Sequence, residues 1–499
     1  MKFNDKAHDS TKTYNYEGGV AYRVDRKTEL MLRAVSTLVG ENKFYTSGKN
    51  IDTELVKLIH EVCRFDPEFV LKLAAYCRSV LHLRSVPLLL LAEYANCEHD
   101  DIPNTRRYVR DCIKRVDDMT ELVSYQFGKY PRSKAKLPMV LKYGLASAFG
   151  KFDEYQFAKY NRDGKVKLKD VLFLTHPQPT DLYQYELFGK IASDTLKVPD
   201  TWEVVISRND GRDMAKKWEE ILPKMGYMAL LRNLSNLLRN RVNMSDALSR
   251  IKDPLSVRSS KQMPYRFYSA YREVNNLTAE EADVWSVKNT LIALEDALMS
   301  SIENIPKLPG RTLIAVDTSG SMDSRLSNKS TITYFDIATL YGSIASKICE
   351  ESIVCSFDSI FQVIQDPSRI NPLHHKDMFT LGGATYAHLV PQWMLDTQLK
   401  VDRIIFFSDF QVYNKQVFAP EKGLSHLMKE YRNKINKDVY LYSIDLAGYG
   451  TTAFQRDIPR TTLIGGWSDR VFDLISLHER GNLTMIEEIN SYSPPVGRR

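Results

Sequence analysis

Thr312-Leu313-Ile314-Ala315-Val316-Asp317-Thr318-Ser319-Gly320-Ser321 decides the fold of the C-terminal part of this chain. A short apolar run that ends in a polar, Gly-containing loop reads as a buried strand. A helix-like segment follows over about 334–349, and further apolar runs stand at Ser352–Phe357, Arg403–Ser408 and Asp438–Ile444. Continuous apolar strands alternating with helices predict a mostly parallel sheet covered on both faces, an α/β Rossmann-like domain. In that architecture ligands sit beyond the carboxyl ends of the strands, which is where 317–321 stands.

The loop has the chemistry of a hard-cation site. Magnesium wants oxygen ligands in an octahedron at ~2.1 Å and keeps several waters. Ser319 and Ser321 offer hydroxyls from one tight turn closed by Gly320, and Asp317 offers negative charge directly or through water. Taken alone, Asp-x-Ser-x-Ser also reads as a helix N-cap. Two later strand ends favour the metal: Gly382-Gly383-Ala384-Thr385 supplies another hydroxyl, and Ser408-Asp409 another carboxylate. Hydroxyls dominate, and no His or Lys stands nearby at motif spacing, so the set does not read as the centre of a metal hydrolase.

Upstream, residues 24 to about 305 read as helix after helix. In Asp66-Pro67-Glu68-Phe69-Val70-Leu71-Lys72-Leu73-Ala74-Ala75-Tyr76, Asp66 suits an N-cap and Pro67 the first helical position, with apolar residues on one face. Similar stretches recur near 50–64, 84–97, 104–116, 136–150, 210–223, 226–240 and 282–301. Trp202–Ile206 is strand-like but too isolated to build a sheet. Helix pairs without a strict period are compatible with a helical-repeat solenoid or with an irregular all-α domain.

The chain has 499 residues and a net charge of +6. Between Ile102 and Asp170 stand 16 Lys and Arg against 8 Asp and Glu, a local excess of +8, so the rest sums to about −2. Tyr108, Tyr125, Phe127, Tyr130, Tyr143, Phe149, Phe152, Tyr155, Phe157 and Tyr160 interleave with that charge. Each ring taken singly is better read as core. Cations that neutralise phosphates beside aromatic faces that stack bases nevertheless point to RNA. The six cysteines include no CxxC pair, so free thiols are expected. A polar N-terminus and no apolar run near ~20 residues predict a soluble, cytoplasmic protein with no membrane partner.

The residues also carry a resemblance. The strand-Asp-x-Ser-x-Ser, Gly-Gly-x-Thr and strand-end Asp set resembles the metal-ion-dependent adhesion site (MIDAS) of von Willebrand factor A domains. That resemblance implies Ser319, Ser321 and Thr385 as direct ligands, Asp317 and Asp409 acting through waters, and an open position for a carboxylate of a protein partner. Asn15-Tyr16-Glu17-Gly18-Gly19-Val20-Ala21-Tyr22, Tyr76-Cys77-Arg78 through Pro87, Lys169 through Pro177, Met228 through Leu234, Gln262 through Phe267, Gly448 through Thr452 and Trp467 through Phe472 resemble motifs of the Ro autoantigen family. Its members join a TROVE domain to a von Willebrand A domain.

The family resemblance implies a HEAT-like helical-repeat ring over 1–308 and the A domain over 309–499. It implies binding of small noncoding Y-type RNAs on a basic outer surface, and of misfolded RNAs whose single-stranded ends thread the hole. In bacteria it implies association with an exoribonuclease such as polynucleotide phosphorylase. Residue by residue, His176 and Lys159 match RNA-contacting positions. At the next basic position Asp163 falls without a gap, and Arg162 fits with a one-residue shift. Arg110, Lys134, Lys136 and Lys142 are phosphate-contact candidates from charge, and Arg232 and Arg266 either line the hole or form buried ion pairs. The expectation is a non-enzymatic RNA-binding scaffold or chaperone in RNA quality control. The competing readings are a metal-dependent adhesion module with an incidental basic patch, and a metal-dependent RNA-processing enzyme.

Overall fold

The computed structural model describes residues 12–15, 20–36, 48–98, 102–130, 137–161, 164–197, 201–208, 210–262, 264–303, 305–326, 331–367, 371–374, 378–412, 423–449, 451–454, 459–466, 470–481 and 484–495. Lys134, Lys136, Arg162, Asp163, Tyr16–Gly19 and Trp467–Asp469 lie outside them. The chain packs as two compact units, 1–58 with 305–488 and 59–304 with 489–499. This differs from a division into 1–308 and 309–499, because the segment 1–58 belongs with the sheet and the segment 489–499 with the helices.

In chain order the described strands are β1 (Lys12–Tyr14), β2 (Val20–Arg23), β3 (Leu308–Asp317), β4 (Cys349–Phe357), β5 (Phe361–Val363), β6 (Arg403–Ser408), β7 (Tyr440–Asp445), β8 (Thr451–Thr452) and β9 (Thr461–Gly465). The larger sheet has the order β5-β4-β3-β6-β7-β9, all parallel except β5, which runs antiparallel at one edge. β6 is buried throughout, and the helix Tyr334–Ile348 is buried along nearly its whole length, as a sheet covered on both faces requires. The chain runs outward from β3 to β4 on one side and to β6 on the other. The loops after β3 and β6 therefore stand at the switch point, where an open α/β sheet leaves a crevice.

Outside the helical stretch of residues 24–305, β1, β2 and β8 form a small antiparallel sheet that the apolar runs do not announce. Asn15 Nδ2 donates to Val412 O at 2.7 Å, and the helix Arg26–Ser36 lies against the glycine loops that follow β7 and β9. At Gly448, φ is +62°, and a Cβ would run into Ser36 Oγ and, at 2.8 Å, Leu32 O. At Gly466, φ is +87° and a Cβ would meet Val35 O at 2.8 Å. The N-terminal motif and the Gly448–Thr452 motif, at opposite ends of the sequence, are thus two halves of one packing contact.

The other unit is helical. Asp66 Oδ1 accepts the Phe69 N–H at 3.0 Å and caps the helix Pro67–Ser79, which packs on Ser85–Tyr94 and Thr105–Cys112. Arg78 from the Tyr-Cys-Arg motif donates to Cys112 O at 3.0 Å, to Leu83 O at 3.1 Å and to Asp118, joining successive helices. Fully buried Glu93 accepts from Tyr125 (2.6 Å), Lys129 (2.7 Å) and Tyr130 (2.9 Å), and bonds His60 at 2.8 Å. Burial alone would raise the Glu93 pKa, but these hydrogen bonds together hold it below the ordinary value. Trp202–Ser207 is a helix, not a strand: Thr201 Oγ1 accepts from Val204 N, and Trp202 stacks on Trp218 at 6.1 Å. A cap and a tertiary contact override its β-branched content. Among the described residues no helix is long and apolar enough to cross a membrane.

Replacing Gly448 by alanine should cost more than about 2 kcal/mol, since left-handed backbone strain adds to a collision with the Arg26–Ser36 helix. A thermal melt of Gly448→Ala matching that of wild type would show that the contact is not tight.

Candidate functional site

The carboxyl ends of β3 and β6 bring the expected metal residues into one buried cluster. Asp317 Oδ1 accepts the Ser319 N–H at 2.9 Å, and its other oxygen takes the Ser408 hydroxyl. Ser319 heads a short 3₁₀ turn, Gly320–Asp323, without a side-chain cap bond, so its hydroxyl does not serve as an N-cap. Ser319 Oγ instead lies 3.4 Å from Ser321 Oγ. The Gly382–Thr385 loop is stitched alongside by Gly382 N to Thr318 O (2.9 Å) and Gly320 N to Gly383 O (3.1 Å). Gly383 has φ +71° and backs onto Ser359, so the second glycine of the pair is a backbone requirement, whereas a Cβ at Gly382 would meet nothing within 4 Å. Thr385 and Asp409 are 3% and 2% exposed.

The electrostatics of this cluster favour a cation. Burial, and secondly the charge of Asp409, push the Asp317 pKa up to about 7, against the pull of the Ser319 and Ser408 hydrogen bonds. Two carboxylates in a dry site with serine and threonine hydroxyls around them make a donor set that a hard divalent ion would satisfy. Among the described residues no group of three His, Cys, Asp or Glu side chains is placed to hold a metal, so a cation in this cluster would depend on its hydroxyls.

In the helical unit, His176 ends the helix Leu168–Thr175 in the left-handed conformation, φ 51°, with its N–H donating to Leu172 O and its ring exposed. Lys159 sits in the last turn of Glu154–Tyr160, with Nζ 5.9 Å from the Tyr155 ring centre and 5.6 Å from that of Tyr160. Both helices pack on Val116–Lys129. Arg110 and Lys142 are half-buried. Arg232 and Arg266 are exposed, and Arg266 stacks over Tyr265 at 4.6 Å, so the buried ion-pair alternative does not hold for either.

Much of the local basic excess is engaged within the unit. Lys114 pairs with Asp111, Arg115 with Asp117 and Lys129 with Glu93. Lys151 donates to the carbonyls of Arg110 (2.8 Å) and Ile113, closing the end of the Thr105–Cys112 helix. Arg106 and Arg107, on the first turn of that helix, are exposed, and sequence reasoning passed over them. Of the ten aromatics, Tyr108, Phe149, Phe152 and Phe157 are core, while Tyr143 and Tyr155 are exposed.

The TROVE domain family model matches residues 23–197 and 188–290, more than half of the chain. The chain belongs to the TROVE domain family. It is 27% identical to telomerase protein component 1 of Rattus norvegicus over 315 residues, which is 44% of this chain and 12% of that protein. It is 24% identical to the Mus musculus protein of the same name over 345 residues, 51% of this chain and 13% of that one. This chain thus spans about an eighth of the length of these curated relatives. Its fold resembles the crystal structure of the Deinococcus radiodurans Ro (RSR) protein, at a TM-score of 0.63 and 16% identity, covering 92% of this chain and 100% of that one. The combination of a TROVE helical unit with a mixed α/β sheet unit is that of the Ro fold.

Burial, and then the charge of Lys114, lower the Lys151 pKa from 10.5 to about 8. Between those values the unfolded chain binds more protons, so the Lys151 contribution to stability rises as pH climbs from about 8 past 10, while below 8 the cost of the buried ammonium is fully present. The urea stability of wild type relative to Lys151→Met should therefore improve from pH 7.5 to pH 10 by on the order of 1 kcal/mol, allowing for partial exposure. A pH-independent difference between the two proteins would contradict it.

Proposed function

We propose that this protein is a non-enzymatic RNA-binding protein that holds small structured noncoding RNAs of the Y type, and misfolded RNAs with single-stranded ends, for an exoribonuclease such as polynucleotide phosphorylase in RNA quality control. The observation that carries this reading is TROVE membership over the segment that includes Lys159, His176 and the basic stretch. Exposure of His176, Arg106, Arg107, Arg232 and Arg266 supports it, because cations that meet phosphate must stand in solvent.

We read the α/β unit as a von Willebrand A-type module whose metal site is structural or partner-docking. Ser319, Ser321 and Thr385 would supply hydroxyl ligands, with Asp317 and Asp409 balancing the charge of a Mg²⁺ ion through waters. The carboxylate repulsion at that site supports a cation. A metal-dependent adhesion module with an incidental basic patch is the second reading, favoured by the dry, hydroxyl-rich cluster alone.

RNA that co-purifies from the host and is sequenced as small hairpin-ended species would support the first reading; partner capture that EDTA abolishes, with no RNA present, would support the second. Affinity should fall with salt at a slope of ~0.7 per phosphate contact on single strands. Lys159→Ala with His176→Ser should weaken binding without lowering the melting temperature, and wild-type affinity in that variant would remove both residues from the interface. Mg²⁺ at about 100 times its Kd should add about 2.7 kcal/mol of stability to wild type. Ser319→Ala should abolish that increment, and an equal Mg²⁺ response in both proteins would place the ion elsewhere.

A further inference from the structure

The helical unit carries a row of alternating cations and rings that phosphate neutralisation does not explain. It begins at Arg115, whose guanidinium is held by Asp117 and lies 4.5 Å from the centre of the Tyr160 ring. Lys159 Nζ comes next, 5.6 Å from the Tyr160 ring and 5.9 Å from the Tyr155 ring. The turn that carries Tyr155 is met by Tyr183 from the helix Leu182–Ala192, its hydroxyl accepting the Glu154 N–H at 3.3 Å. Tyr155 and Tyr183 are 52% and 53% exposed; Tyr185, on the same helix as Tyr183, is 68% exposed, and Phe173, on the helix Leu168–Thr175 packed against it, is 58% exposed. So many large rings left in water close together in the chain mark a contact surface rather than scattered surface residues.

Charge along the chain separates this row from the basic stretch before it. Residues 102–151 hold eleven Lys and Arg against four Asp and Glu, whereas residues 152–195 hold six against seven. Net attraction for phosphate therefore belongs to the first stretch, and Arg115 stands within it. The second has no net positive charge to attract a duplex backbone, but it has exposed rings at Tyr155, Phe173, Tyr183 and Tyr185, and every nucleobase has a matching π-face. We propose that the row from Arg115 through Tyr160, Lys159 and Tyr155 to Tyr183 is a stacking track for unpaired nucleotides, entered from the basic stretch. This rests on the RNA-binding reading and adds a site and a mode of grip: single-stranded segments held by their bases on these rings.

The experiment measures fluorescence anisotropy of wild-type protein and variants with a labelled 12-nucleotide single-stranded RNA and a blunt RNA duplex of equal length, across a salt series. Tyr155→Ala with Tyr183→Ala should weaken single-strand binding by about tenfold per ring, leave duplex affinity within twofold, and leave the salt slope unchanged. Tyr155→Phe with Tyr183→Phe, which keeps both rings and drops both hydroxyls, should restore wild-type binding. Arg106→Ala with Arg107→Ala should weaken both RNAs and lower the slope. Equal losses for single strand and duplex in the alanine variant, or failure of the phenylalanine variant to restore binding, would overturn the track. Wild-type single-strand affinity in the alanine variant would overturn it as well and leave the rings to a protein partner. If wild type binds neither RNA, the RNA-binding reading itself fails, a result distinct from failure of the track alone.

Discussion

Buried charge must be met by fixed donors or opposite charge, and the places where this chain meets that demand define its architecture. An ionised carboxylate removed from water without partners would cost more than a domain's whole folding free energy can offset. Glu93 is therefore surrounded by groups from the helices Gly48–Phe65 and Val116–Lys129 and from Tyr130, and their convergence fixes how those helices pack. Arg78 does the same through Asp118 and two backbone carbonyls. In the sheet unit, buried Arg403 is clamped by Glu479 and by Thr312 Oγ1 at 2.8 Å. The contrast is at β3: the donors around Asp317 come from Ser319 and Ser408, both uncharged, and Asp409 adds like charge. Two neighbouring buried carboxylates, one of them met only by uncharged donors, are the physical basis for proposing a cation there.

The same balance changes the meaning of the basic excess. Counting Lys and Arg along 102–170 treats every cation as available to a ligand. Lys114, Arg115, Lys129 and Lys151 are instead tied to carboxylates or to the end of a helix. Fewer cations face outward than the count suggests, and exposed rings make up part of the remaining surface. Charge and aromaticity, which coincide in sequence, separate in part along the chain: the net charge lies in 102–151, where Tyr143 is exposed, while exposed Tyr155, Phe173, Tyr183 and Tyr185 lie beyond it.

Several parts of the fold were legible because they depend on local rules. The apolar runs at 312–316, 352–357 and 403–408, and that at 438–444 from Tyr440 on, are strands because a two-sided parallel sheet needs continuous apolar residues. Asp66 and Pro67 start a helix because cap and fixed φ act within one turn. Misreadings came where a distant partner decides the outcome. Trp202–Ile206 has strand composition, yet it is a helix whose first residue stacks on Trp218. The Asn15 and Gly448 motifs carry no sign in sequence that they meet, since a glycine shows its conformational freedom and not what lies against it.

Residue type and short-range spacing set the chemistry available to this chain: a hydroxyl-rich loop at a strand end, a helical stretch with a basic segment, and motifs ordered as in the Ro family. Tertiary contacts do not alter these. Which groups share an environment was decided by the fold alone. It placed the segment 1–58 with the sheet and stitched Gly382–Thr385 to the Asp317 loop. It also tied Lys114, Arg115, Lys129 and Lys151 to internal partners, and left Tyr155 and Tyr183 in solvent on adjoining helices. The physical reason is that burial and electrostatic pairing depend on distance in space. A chain whose last strands return to its first helix sets those distances without recording them in any local pattern.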